Sequence, residues 1–148
     1  MPRSGHGAEL AARPLVAGEA AGPALVLEAP LSLWGGMDPR SGRVGDHHHP
    51  QFGASVRGRI LVMPSGRGSS SSSSVLAEAV RLGTAPLAIL LAEPDEILVL
   101  GALVAQHLYG RTCPVLVLPE AAGGAVATGD HVTVAADGTV TVAAAPAP

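Results

Sequence analysis

The residues best suited to chemistry are gathered in one stretch, Pro64-Ser65-Gly66-Arg67-Gly68-Ser69-Ser70, which continues as serine to Ser74. It follows the aliphatic run Arg59-Ile60-Leu61-Val62-Met63. It precedes Val75, Leu76, Ala79, Val80 and Leu82, which recur at helical spacing and stop before Gly83. A strand that becomes a helix through a Gly/Ser bend brings helix-start amides, hydroxyls and one guanidinium to a single point. Glycines there let the backbone approach a ligand closely, and the open amides favour an anion. Arg67 adds a bidentate clamp for a carboxylate or phosphate. A serine alkoxide at this place is stabilised by the same amides and by the helix dipole, by about 0.3–2 kcal/mol. That is modest, so a serine acting there as a base needs further charge or metal nearby. The spacing is not that of a P-loop, whose lysine is missing. Nor does the stretch read as a flexible serine linker, because it sits without slack between a strand and a patterned helix.

Three other groups carry weaker signals. His47, His48 and His49 lie beside Asp46 and near Asp38, but consecutive residues do not face one site. No Cys or Glu at ligand spacing completes a metal set. They read as loop histidines, with His48 and His49 the candidates for lining a pocket, and no metal is assigned to this chain. Trp34, the only tryptophan, stands beside Gly35 and Gly36 and is expected to pack over the core as a wedge. Asp95 and Glu96 read as charges at a helix start, with no catalytic part.

The elements that must position these groups follow from periodicity. Residues 1–13 are polar or small and are expected to be disordered, with the ordered domain running from 14 to 142 and a disordered tail from 143 to 148. Ala24 to Leu27 is a short β-like run between Gly22-Pro23 and Pro30. From Leu31 to Gly53 the Gly, Pro and Asp punctuation is dense, which predicts a long loop of the kind that carries function. Strands are expected at 59–63, 87–91 and 114–118, with helices between them. The second helix opens at Pro94-Asp95-Glu96, is carried by Ile97, Leu98, Leu100, Val104 and Leu108, and closes at Gly110. Strand, helix, strand, helix, strand implies parallel pairing, and ligands of such units gather at the carboxyl ends of the strands, where Ser65 to Ser70 fall. His131 to Val134 and Thr139 to Val142 alternate around Asp137-Gly138, as a hairpin does. The predicted fold is α/β: a central β-α-β-α-β unit flanked by β segments that form a partly open, barrel-like sheet.

Composition bounds the function. The 148 residues fit one domain, and with only three aromatics the core must be built from Val, Leu, Ile and Ala. Nine arginines, no lysine and a net charge of -3 leave no basic surface, so neither nucleic acid nor an anionic membrane is an expected partner. The preference for Ala, Gly, Pro and Arg points to a GC-rich genome. Cys113 is the only cysteine, so no internal disulfide forms and this chain alone holds no cysteine-ligated cluster. No signal core is apparent, and the apolar region 87–104 is broken by Glu93-Pro94-Asp95-Glu96, which predicts a soluble, cytoplasmic protein.

An ordered series of segments carries a family resemblance. It comprises Gly18-Glu19-Ala20, Pro30-Leu31-Ser32-Leu33-Trp34-Gly35-Gly36, Asp38-Pro39, Ser41-Gly42, His48-His49-Pro50 and Gly53. It continues through Gly58 to Ser69 and ends at Gly101-Ala102. Over about residues 14–142 the chain resembles the swivel domain, or small subunit, of the aconitase X family. The resemblance implies a swivelling β/β/α domain that caps a large catalytic subunit, and an iron-sulfur cluster or iron in that partner. The implied reaction is dehydration of a small hydroxy acid such as cis-3-hydroxy-L-proline or 5-phosphomevalonate. On the residues that match, Ser69 falls on the serine base, while Arg67, Gly68 and Ser70, with Ser65 and Gly66 ahead of them, fall on positions that bind the substrate. The serine run leaves that register open by about a residue. The runner-up is a phosphohistidine-type swivel carrier, similar in the closing pattern Gly129 to Val134, and a non-catalytic binding module is the third reading.

Overall fold

The structure, a computed structural model, describes residues 7–122 and 124–145. Ten strands and three helices follow in chain order. β1 (Ala8–Ala11), β2 (Arg13–Val16) and β3 (Ala20–Val26) lead to α1 (Leu33–Gly36) and the two-residue strands β4 (Met37–Asp38) and β5 (Arg43–Val44). β6 (Ile60–Met63), α2 (Ser72–Leu82), β7 (Ala88–Leu91), α3 (Glu96–Tyr109) and β8 (Val115–Val117) form the central unit. A 3-10 turn at Glu120–Ala122 precedes β9 (His131–Val134) and β10 (Thr139–Ala143).

Eight strands make one sheet in the order β1-β10-β9-β3-β6-β7-β8-β2. β3, β6, β7 and β8 run parallel, and the remaining pairs are antiparallel. β3 changes neighbours along its length: Ala20 to Pro23 pair with β9, and Ala24 to Val26 pair with β6. β1 and β2 are consecutive yet occupy the two outer positions, so the chain crosses the seam at Ala12, whose amide donates to Gly138 O at 3.0 Å. The sheet is therefore a nearly closed barrel with α2 and α3 packed outside it.

The two-residue strand period explains the layers. Ile60, Ala88, Leu90 and Leu116 point into the barrel, where they meet Val132, Val134, Val140 and Val142. Their neighbours Leu61, Met63, Ile89, Leu91 and Val115 point outward and meet Leu76, Ala79, Leu98 and Ala102 of the helices. The interior of β6, β7 and β8 thus reads as continuous apolar sequence because both faces are covered.

Two expectations about the ends are corrected. Residues 8–13 do not fray: Ala8–Ala11 pairs with β10 and Arg13 with Val117 of β8. Ala143 closes β10, and the Ala145 amide donates to Asp130 Oδ1 at 3.2 Å. Residues 1–6 and 146–148 lie outside the described residues. The region 31–53 is a long loop, as its punctuation predicts, with α1 interrupted by non-helical Trp34 and Gly35. Its tip is tied to the end of α2 by the Thr84 hydroxyl, which donates to Pro39 O.

Candidate active site

β6 stops at Pro64, whose carbonyl accepts the amides of Ala92 and Glu93 at 3.1 and 3.2 Å, so the turns after β6 and β7 are fastened together. Gly66 then bridges to Leu31, laying the loop after β3 against the turn. A Cβ on Gly66 would run into the Asp95 carboxylate, with Cγ at 3.1 Å, so a glycine is needed there for close approach of a side chain of this protein. Gly68 has φ +89°, and a Cβ on it would lie 2.5 Å from Ser32 Oγ. The turn therefore keeps its shape only with glycines at both positions.

The serines that follow divide into two groups. Ser69 is half-buried, and its Oγ accepts the Ser71 amide at 3.1 Å while its carbonyl accepts the Ser72 amide at 3.0 Å. The amides of Ser69 and Ser70 have no acceptor among the described residues. Ser71, at the cap position of α2, makes no side-chain cap bond. Ser72 and Ser73 are engaged elsewhere: buried Ser72 accepts the Trp34 amide at 3.0 Å, and the Ser73 hydroxyl donates to Ser70 O at 2.9 Å. Arg67 is exposed and pairs with no carboxylate among the described residues. One guanidinium, two open amides and the Ser69 hydroxyl thus share the start of α2, with Ser65 and Gly66 just before them.

Asp95 stands beside this turn in a cap role. Its Oδ1 accepts the amides of Ile97 and Leu98 at 2.9 and 3.0 Å, which closes the start of α3. Asp95, Arg67, Ser69 and Ser72 with Leu31 and Leu98 line a recess of only about 10 Å³. That holds about one water, so the turn alone makes no substrate-sized pocket. The larger cavity, about 580 Å³, lies across the same sheet edge at the barrel mouth between Val26, Val62, Leu118 and Val126, with Glu93 and Glu120 on its wall.

The histidines separate. His49 is corrected from a pocket residue to part of the loop framework: it is 6% exposed, its Nδ1 accepts the Gln51 amide at 3.0 Å, and its Nε2 therefore donates to Ala29 O at 3.1 Å. His48 is exposed, with its amide donating to Asp46 Oδ1 at 2.9 Å. His47 stacks on Phe52 with ring centroids 4.4 Å apart. Trp34 is 58% exposed rather than wedged into the core, because its amide and carbonyl are held by Ser72 and Ser32 at the rim of the turn. This meeting of Ser32 and Trp34 with the serine turn left no local sign in the sequence, since the two segments are far apart along the chain. Cys113 is buried, and burial pushes its thiol up to about 12, which keeps it protonated and unreactive near neutral pH. Among the described residues no group of three or more His, Cys, Asp or Glu could hold a metal ion.

Against known proteins, the model for the aconitase X swivel domain matches residues 9–142. The chain belongs to the aconitase X swivel domain family. This swivel domain is 53% identical over 115 residues to cis-3-hydroxy-L-proline dehydratase of Pseudomonas aeruginosa, covering 78% of this chain and 20% of that protein. It is 41% identical over 97 residues to the phosphomevalonate dehydratase small subunit of Methanothermobacter thermautotrophicus, covering 66% of this chain and 74% of that one. Its fold superposes on the crystal structure of Thermococcus kodakaraensis aconitase X (holo-form) with a TM-score of 0.81 and 34% identity, covering 91% of this chain and 98% of that one. The swivel domain spans 20% and 19% of the lengths of the first two curated relatives it matches, both named cis-3-hydroxy-L-proline dehydratase. No helix among its described residues is long and apolar enough to cross a membrane.

Proposed function

We propose that this chain is the swivel half of a hydro-lyase that dehydrates a small hydroxy acid, with Ser69 as the base that removes the proton next to the substrate carboxylate. The observation that carries the reading is the Ser71 amide donating to Ser69 Oγ at 3.1 Å at the start of α2. A hydrogen bond to the charged form favours that form, so this amide and the helix dipole stabilise negative charge on the oxygen that must take the proton. Arg67 and the amides of Ser69 and Ser70 hold the substrate anion, with Ser70 beside them, and Gly66 and Gly68 keep the backbone in the required shape. The recess of about 10 Å³ leaves room for no substrate until a second surface closes over the turn. That surface belongs to a large catalytic subunit, and the iron or iron-sulfur centre belongs to it as well. The pair acts in the cytoplasm. Identity of 53% to a cis-3-hydroxy-L-proline dehydratase against 41% to a phosphomevalonate dehydratase small subunit favours the hydroxyproline as substrate.

The test is reconstitution with the large subunit and assay on cis-3-hydroxy-L-proline and 5-phosphomevalonate. Turnover is expected only from the pair. Ser69→Ala is expected to lower kcat by about 10²–10⁴, the usual worth of a positioned base, while the complex still forms. Full activity in that variant would remove Ser69 from the chemistry, and turnover by the large subunit alone would remove this chain from it.

A further inference from the structure

α3 is apolar along most of both its inner and its outer side, with Glu96 in its first turn and Gln106 and His107 in its last the only polar side chains. Its inner side, Leu98, Gly101, Ala102 and Ala105, is buried against α2 and the sheet. A helix on the surface of a globular protein should be polar on the other side. Instead Leu100, Leu103, Val104 and Leu108 project outward, with exposures of 54%, 47%, 36% and 62%. Leu103 and Val104 lie three and four residues after Leu100, and Leu108 four after Val104, so the four form a stripe on one face, which His107 also borders. Tyr109 and Leu82, 39% and 41% exposed, extend the apolar surface at the far end. α2, which packs beside α3, presents Ser74, Glu78 and Arg81 to solvent in the ordinary way.

The stripe is continuous with the candidate site. A groove of about 290 Å³ between the two helices is lined by Ser73, Ser74, Ala77 and Glu78 on one side, Glu78 being turned to Arg81, and by Leu100, Val104 and Tyr109 on the other. Its upper end lies in the first turn of α2, next to the bend that holds Ser69. A surface broad enough to cover that bend and the first turn of α2 meets the upper end of the groove at Ser73 and Ser74.

We infer that the outer face of α3, from Leu100 to Leu108, is the seat of this domain on its large catalytic partner, and that it takes an apolar helix face or groove of that partner through the α2–α3 groove. The inference rests on the proposed function, in which the turn is half of a site. A second copy of this chain seated here would cover the groove beside Ser69, where substrate and partner must meet. A lipid surface would call for arginines or lysines along the margin of the stripe; α3 has neither, and Arg81 and Arg111 stand only at its far end, Arg81 paired with Glu78 and Arg111 bonded to the Val80 and Arg81 carbonyls.

The test is a pair of exposed substitutions of opposite charge, Leu103→Glu with Leu108→Lys, which keep the net charge and place good helix formers on a solvent face. Association with the intact large subunit is measured by calorimetry, and the oligomeric state of the isolated chain by light scattering. The double variant is expected to keep its melting temperature and remain monomeric while binding the large subunit about 100-fold more weakly or worse, as loss of two anchor residues does. Ser69→Ala is expected to bind as the unaltered chain does. Equal binding by the double variant, with turnover of the unaltered pair intact, overturns the seat and leaves the proposed function standing. A dimer of the unaltered chain that the double variant dissolves assigns the stripe to a second copy and overturns the inference. Failure of the unaltered pair to associate overturns the proposed function, and the inference with it.

Discussion

α2 and α3 start side by side at the carboxyl ends of neighbouring parallel strands, yet their first turns are finished in opposite ways. At α3 a carboxylate of this chain, Asp95, occupies two amides. At α2, among the described residues, the one side-chain oxygen that accepts an amide of the helix start is Ser69 Oγ, on Ser71, and the amides of Ser69 and Ser70 are left open. A helix start is an anion site only while nothing internal fills it. The first start is closed for stability; the second is open for a ligand. Where Asp95 and the serine turn meet, at Gly66, the two kinds of helix start are separated by the width of a missing Cβ.

The contrast can be broken in several places. The largest expected effect is on turnover of the reconstituted pair, where Ser69→Ala lowers kcat by about 10²–10⁴ and Asp95→Asn, tested alongside, acts mainly through stability. Next comes the contact that holds the two starts in register. A Cβ on Gly101 would lie 3.1 Å from Ser73 Cα and 3.2 Å from Leu76 Cβ, so Gly101→Val is expected to cost about 1–3 kcal/mol in urea unfolding, as overpacking does. Asp95→Ala opens the start of α3 and is expected to cost about 0.5–2 kcal/mol, the usual value of an N-cap. Ser71→Ala removes a hydroxyl that caps nothing, so a change within about 0.5 kcal/mol is expected; a loss as large as that of Asp95→Ala would show that α2 is capped after all. At neutral pH the smallest effect of all belongs to Cys113. Its thiol, pushed up to about 12 when folded, is protonated in both states below its ordinary value of 9.0. Above that value the unfolded thiol ionises first, so stability falls as pH rises towards about 12. Cys113→Ala is expected to flatten that decline in a pH series of melts.

Much of this arrangement was legible in the sequence, and the parts that were not have physical reasons. The strands at β6, β7 and β8 and the helices between them follow from apolar runs and end signals, and the capping part of Asp95 follows from its place before Glu96. Periodicity did not reveal which side of α3 faces inward. Ile97, Leu98, Leu100, Val104 and Leu108 together carry the helical pattern, and apolar residues on both sides of a helix give no phase. β1 was missed because Ala8–Ala11 owes its strand to pairing with β10, more than a hundred residues away, and not to its own residues. His49 and Trp34 changed places for a similar reason: the polar residue is buried by two backbone partners, and the aromatic one is held out by two hydroxyls.

The crossing at Ala12 has a consequence of its own. One short segment supplies both outer strands of the sheet, so its two sides are guarded by a single stretch of chain. A protease cut between Ala11 and Arg13 leaves each half-strand anchored by only four residues, and peeling of either bares a row of unpaired backbone groups ready to join another molecule. Damage at this seam would therefore be noticed first as clumping at high concentration, well before any change at the serine turn.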